Sequence, residues 1–221
     1  MLIAAELFPD LFIWLINLVA FFVFLWGVRS AEWKQVTEVP ERQHLLLGSV
    51  FFLILFWLMQ FEVVDGLRIH PLIVTSVALM IGFRFSLVVT AIASGIYLLF
   101  AQLSMSEWGF HYLINGVVPA AFIVYTCNWL RKRKPGNLFF YTLGIGFFGG
   151  ALTIPLIASF AYLFVVLFDL SLFRPNDDFK YQWILLGMFP EAFINGVIVS
   201  TITVFFPDWM RTFDEEYFLS K

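Results

Sequence analysis

The sequence predicts an all-α integral membrane protein, a bundle of about seven transmembrane helices with the N-terminus outside and the C-terminus inside. Three observations carry this. The 221 residues are 61% hydrophobic and only 13% charged, where a soluble domain carries about a quarter charged residues. The apolar residues fall into seven long runs, and the basic residues collect on one side of the resulting alternation. A span needs about 20 apolar residues, so one transmembrane domain, residues 1–221, takes up the whole length and leaves no room for a soluble domain.

Each run is justified by its apolar length. The first is about 11–28 (LFIWLINLVAFFVFLWGV) and the second about 45–61 (LLLGSVFFLILFWLMQF). A third and a fourth, about 70–83 and 86–103, share a near-continuous stretch split at GFRFS. The third is short for a full span, and reads either as a helix ending in the interface or as a broken or re-entrant element covered by its neighbours. The fifth is about 111–130, and the sixth, about 138–169, is long enough to tilt or to bend at Pro155. The seventh is about 182–206.

Basic residues test this arrangement independently. With the N-terminus outside, the inner side receives Arg29, Lys34, Arg42, Arg84, the Arg131–Lys134 cluster, Arg211 and Lys221, ten of the 13 basic residues. That asymmetry is what the positive-inside rule expects. The N-terminal stretch MLIAAELFPDLF places Glu6 and Asp10 before the first run and has no basic n-region, so no removable signal peptide is expected. The single cysteine, Cys127, excludes an intramolecular disulfide and a CxxC metal site. A net charge of −3 without a basic stripe argues against nucleic acid as a partner. Lipid is the expected surroundings.

Polar groups inside hydrocarbon cost several kcal/mol, roughly, unless paired, so each one here is a candidate. Glu191, one residue after Pro190, is the carboxylate within the seventh run. It reads as a ligand, a proton carrier or a site organiser, or else as a paired structural carboxyl. Asn195 lies four residues on and so shares its helix face, and Asn115 opens the fifth run. The three suit an interhelical hydrogen-bond network. His70 precedes Pro71, a residue favoured in a first helical turn. This predicts an imidazole at the outer mouth of the third run, kept neutral by the helix dipole and open to a metal; the alternative is an interfacial histidine among headgroups. His111 is expected at a similar depth, and His44 on the inner side as a solvated residue.

Enzyme signatures are missing: the sequence has no HExxH, GxSxG, P-loop or GxGxxG. Ser94-Gly95 superficially resembles an intramembrane serine nucleophile, but no histidine follows His111, so a serine–histidine dyad on a later helix is not expected.

Taken together, MLIAAELFPDLFIWL, VVDGLRIHPL, GFHYLINGVVPAAFIVYTCNWLRKR and FPEAFINGVIVSTITVFF resemble, in this order, the membrane substrate-binding components of energy-coupling-factor importers for cobalt and nickel, the CbiM/NikM-type family. The resemblance implies a seven-span fold with the N-terminus outside. It also implies an inner (cytoplasmic) prokaryotic membrane, a coupling transmembrane subunit and an ATPase pair as partners. A divalent ion is the implied substrate: nickel, cobalt, or zinc or copper by the preference of nitrogen ligands. No organic cofactor is expected. In the family the ion is held by the N-terminal amine, the backbone nitrogen and imidazole of residue 2, and a later histidine. Met1 and His70 match, while position 2 is Leu and the family's GTSGHL glycines are largely replaced. His111 and Glu6 are further candidates, with Asn115, Glu191 and Asn195 organising the site. Because ligands must be deprotonated, uptake is expected to fall in acid. Two other readings stand: a family member without a metal site, serving as a membrane subunit of another complex, and an intramembrane enzyme using Glu191 or His111.

Overall fold

In the computed structural model, which describes residues 2–3, 7–64, 67–132, 136–169 and 180–219, six helices are long and apolar enough to cross a membrane. A two-residue strand, β1 (Leu2–Ile3), precedes α1 (Asp10–Ser30). Asp10 in the first turn of α1 and Arg29 in the last each sit at the end of the macrodipole that attracts their charge. The short α2 (Trp33–Glu38) leads to α3 (Pro40–Leu58), whose Pro40 takes the first helical position, where its missing N–H is harmless.

Strands β2 (Phe61–Val64) and β3 (Leu67–Ile69) follow, and the three strands form a small antiparallel sheet in the order β1-β3-β2. Leu2 lies opposite Arg68 and Ile3 opposite Leu67, so the first residues of the chain are tied two positions from His70. This sheet is an addition to the expected all-α architecture.

The third apolar run departs from a regular helix. Residues 70–73 carry no helix, and α4 (Val74–Ile81) supplies only eight residues. Pro71 therefore does not open a helix as the sequence suggested: the turn into α4 is made at Ile73, in the left-handed region at φ 54. Gly82, at φ 79, then turns the chain into α5 (Phe83–Phe100), a backbone conformation that glycine adopts without penalty. The eight residues of α4 rise about 12 Å, less than half of a bilayer's hydrocarbon depth of about 30 Å. The third apolar run is thus a short helix preceded by non-helical backbone. Seven of the eight α4 residues are buried, against α3, α5 and helices from the second half of the chain. Non-helical backbone at membrane depth is tolerated only when protein covers it in this way.

The fifth traverse, Met105–Arg131, is composite: a 3-10 turn at Met105–Glu107, α6 (Trp108–His111), a π-helical stretch at Tyr112–Val117, and α7 (Val118–Arg131). The wide turns end just before Pro119, which has no N–H to give to the regular ladder. The sixth starts with a π-helical stretch, Phe140–Phe148, and continues as α8 (Gly149–Leu167); the last long helix is α9 (Lys180–Phe205). A 3-10 turn at Pro207–Trp209 and α10 (Glu215–Leu219) complete the described chain. Large apolar side chains such as Trp14, Phe22, Phe100 and Phe189 face outward, as lipid contact requires.

Ion pairs join one end of the bundle. Glu32 meets Arg84 at 3.4 Å and Arg211 at 3.0 Å, and Arg131 meets Asp214 at 2.8 Å. The α1–α3 connection, the start of α5, the end of α7 and the tail thus share one face, the grouping that the basic residues suggested. The described backbone at that end also completes α4: Arg211 N donates to Met80 O at 3.0 Å and Thr212 N to Leu79 O at 3.2 Å.

Candidate metal site

The opposite end of α4 is held by α9. A helix start leaves its first N–H groups without intrahelical partners, and here side chains 118 and 119 residues away accept from them. Leu72 N and Ile73 N donate to the two oxygens of Glu191, each at 2.8 Å. Ser76 N donates to Asn195 Oδ1 at 2.9 Å, and the Ser76 hydroxyl does so at 2.7 Å. Asn195 Nδ2 in turn donates to Glu191 Oε1 at 2.8 Å, as their four-residue spacing allows. Glu191 and Asn195 are both buried. A Cβ on Gly150 would lie 3.0 Å from Asn195 Cβ, so glycine lets α8 and α9 approach at this point. A residue such as Ile73 in the left-handed region costs about 1–3 kcal/mol and persists where its surroundings over-determine it. The Glu191 carboxylate is what over-determines this one.

This clasp fixes the backbone next to His70. The His70 imidazole is buried and its Nε2 lies 3.3 Å from Nε2 of His111, from α6. His70 Nδ1 is 3.3 Å from Pro71 O, and His111 Nδ1 is 3.0 Å from the Ser94 hydroxyl of α5. Trp57 and Tyr97 wedge the pair. The Trp57 ring centre stands 5.6 Å from His70 and 4.8 Å from His111, and Tyr97 is at the same two distances, stacked on His111. Trp57 Nε1 donates to Leu72 O at 3.1 Å and Tyr97 donates to Gln60 Oε1, so both wedges are themselves anchored.

The depth of His111 is set by α1. Asn17 Oδ1 accepts from Gly109 N at 2.9 Å, Asn17 Nδ2 donates to Ser106 O at 2.7 Å, and a Cβ on Gly109 would meet the Asn17 backbone at 2.7 Å. Asn115 is buried and donates to His111 O at 3.2 Å within the π-helical stretch.

The expected residues thus fall into two linked groups, the His70–His111 pair and the Glu191–Asn195 clasp. Met1 and Glu6 lie outside the described residues. His44 is exposed near the start of α3, towards the other end of the bundle. Among the described residues no three His, Cys, Asp or Glu side chains gather in a metal-binding group; the two imidazole nitrogens are the donors that converge. Ser94, for which no histidine partner on a later helix was expected, pairs with His111, while Ser76, Asn17, Trp57 and Tyr97 were not singled out by sequence. Asn17 carried a signal, being an amide inside a predicted span, whereas the others are ordinary residues of membrane helices until the fold pairs them.

A sequence model of the family described as CbiM, cobalt uptake substrate-specific transmembrane region, matches residues 3–209. No curated protein matches the chain, and no solved structure does.

Proposed function

Since the chain belongs to the cobalt uptake substrate-specific transmembrane family, a membrane component of metal uptake, we propose that it is the substrate-binding component of an energy-coupling-factor importer, which captures a divalent transition-metal ion at the outer face of a prokaryotic inner membrane. The observation that carries this reading is the meeting of two buried imidazole Nε2 atoms 3.3 Å apart, from residues 41 positions apart in the chain. Neutral imidazole nitrogen suits cobalt, nickel, copper and zinc, and a buried polar pair in a membrane protein calls for a functional explanation. The β1–β3 register supports a contribution from the N-terminus, because it ties residue 2 beside residue 68. Met1 then supplies the amine as a third donor, and His111 the imidazole that Leu2 does not. Glu191 and Asn195 position His70 through the 72–76 backbone, and Asn115 steadies the His111 turn.

The basic residues point the ionic end of the bundle to the cytoplasm and the histidine pair outward. No nucleotide-binding motif stands in the sequence, so a coupling membrane subunit and an ATPase pair would supply the drive. The test is cobalt uptake and bound metal for the protein with an untagged N-terminus, beside His70→Ala and His111→Ala. Each substitution is expected to abolish both while the protein elutes as a folded monomer or complex as before; uptake unchanged in His70→Ala would overturn the reading. Leu2 favours a second reading, a family member that has lost its metal and serves another membrane assembly. Stable co-purification with unrelated subunits, and no bound metal, would select it.

A further inference from the structure

The geometry points to a second site, at the ionic end of the bundle: a pocket for the headgroup of an ethanolamine phospholipid, a phosphodiester with a primary ammonium two carbons away. It does not depend on the metal reading above. A pocket of about 420 Å³ opens between the start of α3 and the segment that follows α9, with Arg42, Arg211, Asp208 and Glu215 in its walls beside Met210 and Phe213. Ligand pockets measure about 300–1,000 Å³, so the space suits a polar headgroup. Its level is that of a headgroup too. Arg42 stands in the first turn of α3, and Asp208 comes three residues after the end of α9, so the pocket lies where two apolar spans meet water. Phe206 and Trp209, exposed and stacked with ring centres 4.8 Å apart, mark the same level, since aromatic residues gather at the membrane–water boundary.

Charge selects the guest. Arg211 is held in place from several sides: its N–H donates to Met80 O, its guanidinium meets Glu32 at 3.0 Å and lies 5.7 Å from the Phe85 ring centre. Its stem crosses Gly82, where a Cβ would come within 2.8 Å of Arg211 Cδ. The apolar wall is fixed as well, with Met210 buried and the Phe213 ring 5.0 Å from that of Tyr141. Arg42 is half-buried, yet among the described residues its guanidinium makes no ion pair or hydrogen bond, and neither do the carboxylates of Asp208 and Glu215. A guanidinium in that position suits an oxyanion, which it holds with two parallel N–H bonds. A wholly anionic guest would face two carboxylates, and a wholly cationic one two guanidiniums. A zwitterion satisfies both pairs. With its phosphate on Arg42 and Arg211, its ammonium falls to Asp208 and Glu215, and a primary ammonium brings the N–H donors that choline lacks. The acyl chains then follow lipid-facing side chains just inside each span, Leu47 of α3 and Phe205 of α9.

The test uses the full chain, stripped of lipid in detergent, with dioleoyl phosphatidylethanolamine, phosphatidylcholine and phosphatidylglycerol offered in equal amounts. Native mass spectrometry reads which lipid is retained, and melting temperature reads its effect. One phosphatidylethanolamine per chain is expected to stay bound, preferred about 10-fold or more over either of the others, and to raise the melting temperature. Arg42→Gln is expected to weaken retention about 10–100-fold, as loss of charge-assisted hydrogen bonds does. Asp208→Asn is expected to erase the preference over phosphatidylcholine while retention itself persists. Neither side chain has a partner in the fold, so both variants are expected to melt like wild type without lipid; if Asp208→Asn does not, Glu215→Gln replaces it with the same expected direction. Soluble glycerophosphoethanolamine and inorganic phosphate separate the sources. Competition by the first supports recognition of the headgroup, whereas an equal, Arg42-dependent melting rise with inorganic phosphate alone would make free phosphate the ligand and overturn the ethanolamine assignment. No retention, equal retention of the three lipids, or wild-type retention in Arg42→Gln would overturn the site and leave the metal reading untouched.

Discussion

The two ends of α4 are finished by different means. At one end backbone N–H groups meet a carboxylate and an amide from α9. At the other, carbonyls meet the backbone N–H groups of Arg211 and Thr212, with the Thr212 hydroxyl donating to Leu79 O at 2.8 Å as well. Any sequence can supply backbone donors, and such an end simply closes a helix. A carboxylate buried in the bundle is costly, and it pins one particular backbone conformation. The costly arrangement stands at the end that carries His70. The contrast separates a helix terminus that serves the fold from one that serves the site.

The strongest way to break this contrast is Glu191→Ala. It strips acceptors from two buried N–H groups, Leu72 N and Ile73 N, and each buried donor left unsatisfied costs about 1–3 kcal/mol. A loss of about 2–6 kcal/mol is expected, read as a fall in melting temperature in detergent, together with loss of metal binding as the strained turn at Ile73 relaxes and carries His70 with it. Next comes Asn195→Ala, which removes the acceptor for both Ser76 donors. It is expected to destabilise by about 1–3 kcal/mol and to weaken metal binding less than Glu191→Ala, since Ser76 lies further from His70. Equal loss of binding in the two variants would show that the clasp acts as one unit and not residue by residue.

At the plainer end, Thr212→Val removes the hydroxyl that donates to Leu79 O and pairs with the buried Tyr141 hydroxyl at 2.7 Å, and leaves the Thr212 N–H bond to Leu79 O. An expected loss of about 1–3 kcal/mol, with cobalt affinity at the wild-type level, would keep the two ends distinct. Weakened cobalt binding in this variant would mean that α4 transmits strain along its length.

How much of this was readable in the sequence follows from the range of the interactions. The apolar runs and the sidedness of the basic residues need only local counting, and the six helices long and apolar enough to cross a membrane agree with the runs. Glu191 and Asn195 stood out because a carboxylate and an amide four residues apart in a span have to be satisfied, and the structure joins them at 2.8 Å. The shortness of the third run pointed to a broken element as one of two readings, but the place of the break, before α4, was hidden. Pro71 fits a helical first turn as well as an extended segment, and what decides between them is an acceptor 118 residues later in the chain. The sheet had a partial signal, since Asp65-Gly66 between Val64 and Leu67 is the pair that a tight hairpin favours, but two-residue β1 offers no pattern to read. Ser94 was considered only as a nucleophile; its place beside His111 depends on the packing of α5 against α6.

Glu32→Gln makes the smallest change and sharpens the comparison from the ionic side. Glu32 pairs with Arg84 and Arg211, and its side chain is 45% exposed while those two are 50% and 28% exposed. Exposed pairs of this kind contribute about 0–1 kcal/mol, and salt screens them. Gln keeps the shape and one of the two acceptor oxygens while losing the charge, so a melting shift of at most about a degree or two is expected, which shrinks further in high salt, with cobalt affinity unchanged. This end of the bundle faces the partners proposed to drive uptake, so the informative readout is the ratio of uptake to binding. If Glu32→Gln binds cobalt normally yet lowers uptake, the ionic end works in coupling; if both stay normal, its charges only orient the chain in the membrane.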